Sequence, residues 1–291
     1  MTRLLCAAVA LTSCASTEHV SAGAHQKTPE AAMFSKNTDY EQLMGRWSRL
    51  LAPLHARFAS VKDGDRVLDV GAGTGVLALW LASSLPSSEI TGIDPSPEFI
   101  EYARTHAKTQ RVHFEVGDAQ ALRFEAASFD ATLAQLVMNF IPDHEKAARE
   151  MRRVTRPGGV VSACVWGYDD GMEMLQYFWD EVVALDPAVK SKDERTMKLA
   201  RKGELAELWK RAGLVQVEEA PLEIELAFTS FDDYWRPFLA GVGPAGAYVA
   251  SLNEVERQKV AARLRSRLLA GHADGPITLK ARAWCARGQV P

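Results

Sequence analysis

The chain has 291 residues, of which 47% are hydrophobic and 24% charged, and a formal net charge of −3. These values are typical of a soluble globular protein with one elaborated domain or two small ones, and the weak charge gives no electrostatic footprint for nucleic acid. No run of about 18 apolar residues predicts a membrane span, and the four cysteines (Cys6, Cys14, Cys164 and Cys285) lack metal-ligand spacing.

Residues 1–32 are expected to lie outside the fold. An apolar run, Leu4–Leu11, leads to Leu-Thr-Ser-Cys ending at Cys14, which looks like a bacterial lipoprotein cleavage box, and the residues after it are small and polar. The alternative is an overextended start, with translation beginning at Met33. Both interpretations leave the folded part of the chain to begin after this segment.

An amphipathic helix is predicted from about Asp39 to Phe58, because apolar residues recur there at helical spacing. Pro53 is expected to kink or restart this helix.

The most informative stretch follows, at residues 66–75. Its first half is apolar and β-branched, as in a buried parallel strand, and the helix after it is also apolar. Glycines at positions 71, 73 and 75 allow backbone to approach a ligand at a helix N-terminus. The spacing differs from G-x-G-x-x-G because Val76 stands where the third glycine would be, and Asp69 precedes the turn. An acid beside a pyrophosphate is unfavourable, so this pattern favours a ligand that carries an ammonium group.

Two further strands end in acids. Glu89–Asp94 and Val112–Asp118 read as parallel strands, and the carboxyl ends of such strands meet at one rim of an open α/β sheet. We therefore expect Asp69, Asp94 and Asp118 to project into one crevice.

The remaining pattern completes an α/β fold. A fourth strand (Ala131–Leu136), a helix (Glu145–Val154) and a fifth strand (Val160–Val165) continue the alternation that predicts a parallel sheet with helices on both faces. Leu214–Leu226 and Ile277–Arg287 would be the last pair of strands. Two insertions, at about 168–212 and 228–270, are expected to form helical caps on the crevice rim, although most of their aromatic residues are expected only to pack the insertions onto the sheet. Cys164 and Cys285 fall in predicted strands and are interpreted as buried small hydrophobes.

This ordered set of motifs resembles the class I S-adenosylmethionine-dependent methyltransferases, near the small-molecule (type 11-like) methyltransferase-domain group. The resemblance covers about residues 38–288. It implies a Rossmann-like, doubly wound, seven-stranded sheet that is mostly parallel with the last strand antiparallel, and S-adenosyl-L-methionine as the cofactor. The motifs that carry it are Val67–Gly75, Ile90–Ser96, Phe114–Ala119, Ser128–Asp130 and Arg156–Gly159.

The resemblance also implies roles for individual residues. Asp94 would accept both ribose hydroxyls, and Asp118, with the Ala119 N–H, would meet the adenine. The glycine turn and Asp69 would surround the methionine end, while Tyr40 and Arg46 from the entrance helix could meet its carboxylate. The predicted cofactor-binding set is Tyr40, Arg46, Asp69, Gly71, Ala72, Gly73, Gly75, Asp94, Pro95, Ser96, Asp118, Ala119, Gln135 and Leu136. For Asp94 and Arg46, the alternative to cofactor binding is a side chain that simply faces solvent.

Methyl transfer from a sulfonium needs mainly proximity, so a base is required only if the acceptor must lose a proton. His144 is the candidate base, because histidine titrates in the useful range; the alternative is a solvated residue in the first turn of a helix. The acceptor is expected to be a small, hydrophobic or aromatic molecule. Two alternative functions stay open: a nucleotide-dependent oxidoreductase on a related sheet and a non-catalytic binder of S-adenosylmethionine. An RNA methyltransferase is disfavoured by the slightly negative net charge of the chain. It is also disfavoured because Gln135-Leu136 stands where an Asn-Pro-Pro-Tyr motif would be.

The cytoplasm is the expected location, because the cofactor is made there. The alternative is a protein anchored by a lipid at Cys14 outside the cytoplasmic membrane. No nucleic-acid partner is expected, and no membrane contact unless that anchor exists. The oligomeric state stays open.

Overall fold

A computed structural model describes residues 41–291, including all their side chains except those of Gln42 and Leu43. The predictions for residues 1–32, for Cys14 and Met33 and for Tyr40 lie outside the described residues. Within the described range, every helix is too short or too polar to cross a membrane.

Strands and helices alternate through the first half, as predicted. A π-helical turn, Glu41–Gly45, leads into helix α1 (Arg46–Phe58), which continues through Pro53 instead of restarting there. The following elements are β1 (Arg66–Val70), α2 (Val76–Ser84), β2 (Glu89–Asp94), α3 (Pro97–His106), β3 (Val112–Val116), β4 (Phe129–Gln135), α4 (His144–Val154) and β5 (Thr155–Trp166).

The second half adds helices between the last strands. Its elements are α5 (Glu173–Leu185), two short 3-10 helices (Pro187–Lys192 and Glu194–Thr196), α6 (Glu204–Arg211), β6 (Val215–Phe228), α7 (Phe231–Leu239), α8 (Gly243–Ser251), α9 (Glu254–Leu269) and β7 (Ile277–Gln289). The last two strands lie close to their predicted positions.

The seven strands form one sheet in the order β3-β2-β1-β4-β5-β7-β6. All neighbouring pairs from β3 to β5 are parallel, and β7 runs antiparallel to both β5 and β6. The chain moves outward from β1 to β3 and then returns to the other side of β1 with β4. This reversal opens a crevice at the carboxyl ends of β1 and β4, which is where open α/β sheets bind their ligands.

The two strand cysteines correct the sequence interpretation. Cys164 and Cys285 are buried, as expected, but they form a disulfide across the directly paired strands β5 and β7 instead of packing as separate hydrophobes. Their sequence separation of 121 residues hides the pairing from any local pattern.

The first predicted cap insertion includes a helix that packs on the sheet. Helix α6 falls inside the first predicted insertion, yet it packs on the sheet, where Trp209 Nε1 donates to the Ala286 carbonyl of β7 at 2.9 Å. Both cap insertions stay predictions, and in the first one the chain between Trp166 and α6 is the part that does not include this helix.

Most aromatic residues of the insertions pack against each other. Phe178 of α5 stacks on Phe238 of α7 with ring centroids 4.7 Å apart, and Tyr234 and Trp179 join the same buried cluster. These side chains hold the insertions together and are not available to line an open pocket, as expected for the majority of them.

Candidate active site

The glycine-rich turn between β1 and α2 brings bare backbone to the crevice. Gly71 and Gly73 have φ values of 70° and 54°, a region that favours glycine. A Cβ added to Gly71 would lie 2.4 Å from Cγ2 of Val137, whereas a Cβ on Gly73 would meet no atom within 4 Å. The turn is therefore closed against Val137 and open above Gly73, where a ligand can approach the backbone.

Asp94 joins this turn to the next one. Its Oδ2 accepts the Gly73 N–H at 3.0 Å, and its Oδ1 accepts the Ser96 N–H at 2.9 Å. Burial raises the pKa of Asp94 to about 6, although both N–H groups act to lower it. Each carboxylate oxygen keeps a lone pair for a further donor. The side chain is thus held in place by backbone and able to accept two hydroxyl groups.

Asp69 lies beneath the turn. Its side chain is 1% exposed, and its Oδ2 accepts the Ala78 N–H in the first turn of α2 at 3.1 Å. The pKa of Asp69 is raised to about 7, mainly by burial; the Ala78 N–H acts to lower it and the nearby Asp94 charge acts to raise it. The observed role of Asp69 is to fix the start of α2; its direct contact with a ligand ammonium stays a prediction.

The third acid follows β3 on the same rim. Asp118 is exposed, and its Oδ1 accepts both the backbone and the side-chain N–H groups of Gln120, at 2.8 and 3.1 Å. A shallow, partly apolar depression lies beside it, with Ile93 and Phe124 among its walls. Asp118 lies at the edge of this small depression, and its contact with an adenine stays a prediction.

The smaller members of the predicted set support these turns. The Ala72 N–H donates to Ile93 O and the Gly75 N–H to Ala72 O, both at 2.8 Å. Ser96 caps α3 through a hydrogen bond from the Phe99 N–H. Pro95 is exposed on the rim, and Ala119 is partly buried against the main core.

The end of β4 forms the opposite side of the crevice. Gln135 donates through Nε2 to Ser48 O of α1 at 3.1 Å. Leu136 adopts a positive φ of 62°, which is strained for a branched residue, and its N–H donates to Cys164 O at 2.8 Å. No sequence pattern indicated this conformation.

Sequence reasoning also missed His55, which lies under the crevice. The ring is fully buried in α1, and Nε2 lies 3.1 Å from Ser162 Oγ of β5. Burial lowers the pKa of His55 to about 4, with the Gln135 side chain acting in the opposite direction. A neutral His55 therefore ties α1 to β5. A single histidine on an apolar helix face gave no sign of this partner.

Glu41 and Thr74 form a second unpredicted contact. The Glu41 carboxylate accepts a hydrogen bond from the Thr74 hydroxyl within the glycine-rich turn and pairs with Arg49 of α1. These residues line a cavity of about 370 Å³ on the helix side of the turn, together with Trp80 and Tyr102. The entrance segment thus rests directly on the turn, which places α1 beside the ligand crevice.

Arg46, predicted to bind the cofactor carboxylate, has protein partners, and His144, predicted as a base, has none in the described part of the chain that fixes its orientation. Arg46 donates to Asp233 Oδ1 at 2.9 Å and to Ala227 O at 2.7 Å, and it lies over the Phe228 ring. Its guanidinium therefore ties α1 to the chain around β6 and α7. His144 is the first residue of α4 and is half-buried without a hydrogen-bond or ion-pair partner among residues 41–291.

The chain segment that forms most of this crevice matches a known protein family. Residues 68–163 match the family model described as a methyltransferase domain, which spans β1 to the end region of β5 and includes Gly71, Asp94 and Asp118. This segment is a class I S-adenosylmethionine-dependent methyltransferase domain. The order of the seven strands in the whole sheet and the antiparallel β7, which lies outside this segment, agree with the fold that the sequence resemblance implied.

The methyltransferase domain has relatives in several bacteria. Methyltransferase GfsG of Streptomyces halstedii is 35% identical over 141 residues, or 44% of this chain and 50% of the relative. A protein of Mycobacterium tuberculosis described as uncharacterized is 33% identical over 132 residues, or 44% of this chain and 47% of the relative. The aligned part spans about half the length of these curated relatives.

Solved structures share the fold at low identity. A putative methyltransferase from an antibiotic biosynthesis pathway of Anabaena variabilis has a TM-score of 0.57 at 18% identity, covering 83% of this chain and 99% of that one. Phosphoethanolamine N-methyltransferase 2 of Haemonchus contortus, in complex with S-adenosyl-L-methionine, has a TM-score of 0.54 at 21% identity, covering 92% and 59%.

Proposed function

We propose that this protein binds S-adenosylmethionine in the crevice and transfers its methyl group to a small, hydrophobic or aromatic acceptor. The observation that carries the proposal is Asp94, whose carboxylate bridges the turns after β1 and β2 at 3.0 and 2.9 Å while Gly73 leaves the space above it open.

The residues of the crevice fit the parts of this cofactor. Asp94 would accept the ribose hydroxyls, and the depression beside Asp118 would take the adenine. The open backbone at Gly73 and the positive end of α2 would hold the amino-acid end. Gln135 and Leu136 would lie along the path of the methyl group.

The bound cofactor supplies an electrophilic methyl group on a sulfonium, with a neutral leaving group. The protein then has to hold the acceptor atom in line with the methyl and exclude water. Positioning of this kind can supply about 7–11 kcal/mol. The strained Leu136 backbone and the β4 end, fixed to α1 and β5, are suited to that task because they are rigid.

Aromatic side chains and buried polar atoms without partners among the described residues support an apolar acceptor that carries a hydrogen-bonding group. Trp47 of α1 and Trp166 at the end of β5 contact each other edge to face, 6.4 Å apart. Within residues 41–291, both indole N–H groups and Asn139 Oδ1 are buried without a partner, and Asn139 contacts Met197 of the cap at 3.4 Å. Buried polar atoms without partners are uncommon, and a bound acceptor or its water would satisfy them.

Calorimetric titration with S-adenosylmethionine tests the cofactor assignment. Asp94→Ala should weaken cofactor affinity more than about tenfold, because hydrogen bonds to a charged group contribute about 1.5–3 kcal/mol each. The matched control is Glu101→Ala on α3, whose carboxylate is exposed and should leave affinity unchanged. Unchanged affinity in Asp94→Ala would refute its role, and binding of NAD(P)H in place of S-adenosylmethionine would favour the oxidoreductase alternative.

We retain His144 as the candidate base. If the acceptor must be deprotonated, His144→Ala should lower the rate of S-adenosylhomocysteine formation by about 10²-fold or more and change its pH profile. The assay would use an acceptor identified by screening small aromatic compounds. Activity within about threefold of the wild type at every pH would remove His144 and leave catalysis by proximity.

A further inference from the structure

The side of β5 that faces α1 carries a continuous stripe of contacts. Ser162, Cys164 and Trp166 alternate along the strand and therefore share one face. His55 contacts Ser162 at 3.1 Å, and Trp47 contacts Trp166 with ring centroids 6.4 Å apart. Helix α1 thus lies along the stripe, and Cys164 lies between its two ends.

The disulfide forms the middle of this stripe. Cys285 is the direct partner of Cys164 in the β5–β7 register, so both sulfurs lie on the α1 side of the sheet. Both cysteines are 0% exposed, as are Leu51 and Ala52 of α1. A thiol or disulfide reagent can reach this pair only when α1 moves away from the sheet.

The disulfide is connected to the crevice by two routes, one through the end of β4 and one through α1. On one side, Cys164 O accepts the Leu136 N–H at 2.8 Å, and Gln135, the register partner of Cys164, donates to Ser48 O of α1 at 3.1 Å. On the other side, the segment before α1 rests on the glycine-rich turn through the contact of Glu41 with Thr74.

We propose that the Cys164–Cys285 disulfide is a redox-sensitive brace beneath α1 that sets the cofactor affinity of the crevice. This inference rests on the proposed function. Two thiols need more room than a bonded sulfur pair, and the stripe is closely packed, so reduction displaces α1 and with it the contacts at β4 and the glycine-rich turn. Because the coupling is reciprocal, a cofactor that binds the oxidised protein more tightly must also make the disulfide harder to reduce at equilibrium, by the same factor.

The redox step is thiol–disulfide exchange with an external disulfide, such as glutathione disulfide. The Cys164 and Cys285 thiols are oxidised and form one S–S bond, and the donor disulfide is reduced to two thiols that take up both protons. A dithiol such as dithiothreitol reverses the step: it reduces the protein disulfide to two thiols and is itself oxidised to a cyclic disulfide.

The test uses the full chain with Cys6→Ala and Cys14→Ala, so that only the two strand cysteines remain. Thiol titration in denaturant should find no free thiol after folding with glutathione disulfide and two after reduction. Calorimetry with S-adenosylmethionine should then show affinity at least about fivefold weaker in the reduced protein, the coupling range typical of linked sites.

Two variants serve as controls. Cys164→Ala with Cys285→Ala cannot form the bond, so its affinity should not respond to dithiothreitol. Val260→Ala, in the buried part of α9 away from the stripe, lowers stability without touching the brace and should keep the wild-type affinity in both redox states.

A second measurement keeps the proposal testable if the reduced protein unfolds. The equilibrium constant for reduction of the disulfide, measured in mixtures of reduced and oxidised dithiothreitol, should fall at least about fivefold with saturating S-adenosylmethionine, in line with the reciprocal coupling. Free thiols after oxidative folding, or equal affinities together with an unchanged reduction equilibrium, would overturn the brace while leaving the proposed function intact. Absence of S-adenosylmethionine binding in either redox state would overturn both.

Discussion

Asp69 and Asp94 place two carboxylates beneath one turn, where burial raises the pKa of each. Among the described residues, no arginine or lysine acts on the pKa of either carboxylate. Backbone N–H groups are their observed donors, so each carboxylate is oriented but only partly compensated for its loss of water. A positively charged ligand above the turn would complete that compensation.

The raised pKa of Asp69 predicts a pH-dependent stability. Its pKa rises from 3.8 to about 7 on folding, so its contribution is most favourable below pH 4 and is lost as pH rises through 7. The free energy of unfolding of the wild type, relative to Asp69→Asn, should therefore fall between pH 4 and 8, by at most about 4 kcal/mol. The asparagine keeps an oxygen for the Ala78 N–H, which makes it a matched control.

Urea unfolding at several pH values, without cofactor, measures this difference. A wild-type minus variant difference that stays constant from pH 4 to 8 would show that Asp69 is not destabilised by burial as an ion.

At the scale of elements, α1 determines how the crevice is closed. It contacts β5 through His55 and Trp47, β4 through Ser48, and the region of β6 and α7 through Arg46. One helix therefore joins the cofactor rim to the second insertion. This arrangement explains why Arg46, expected at the cofactor carboxylate, is found paired with Asp233.

The two roles for Arg46 make different predictions. If the observed pair with Asp233 is its main function, Arg46→Ala should lower the free energy of unfolding by about 1 kcal/mol, the value of a half-exposed pair, and change cofactor affinity by less than about threefold. We expect this outcome. Thermal unfolding and calorimetry on Arg46→Ala, with Asp233→Ala as the matched variant, measure both quantities. An affinity loss confined to Arg46→Ala would instead support the carboxylate contact.

At the scale of the whole molecule, the described residues contain a complete seven-stranded sheet and all three acidic turns. The insertions are stabilised mainly by their own aromatic cluster and by ion pairs such as that of Glu181 with Arg263, 2.7 Å apart. The inserted helices contact the sheet where α5 packs on β7 and α7 on β6, and Arg46 of α1 adds its ion pair with Asp233.

Removal of residues 1–32 should leave cofactor binding intact, because the sheet and the crevice are formed by later residues. We expect the affinity of the shortened protein for S-adenosylmethionine to lie within about twofold of that of the full chain. Such a difference is much smaller than the tenfold change that the loss of about 1.4 kcal/mol of binding free energy would cause. Calorimetry on both proteins checks this. A larger loss would mean that the N-terminal segment contributes to the site.

The sequence by itself determined the order of strands and helices, the glycine-rich turn and the three acids on one rim. These features depend on short patterns, since alternation, glycine and terminal acids act within a few residues of each other. The last strand pair and the antiparallel β7 came from the family resemblance, and the observed pairing agrees with them.

Only the tertiary structure decided the rest. The Cys164–Cys285 bond, the pair of Arg46 with Asp233 and the contact of His55 with Ser162 join residues 121, 187 and 107 positions apart. Such contacts depend on how α1 and β7 are placed on the sheet, which no local pattern encodes. The burial that raises the pKa values of Asp69 and Asp94 likewise exists only once helices and strands have excluded water from around the turn.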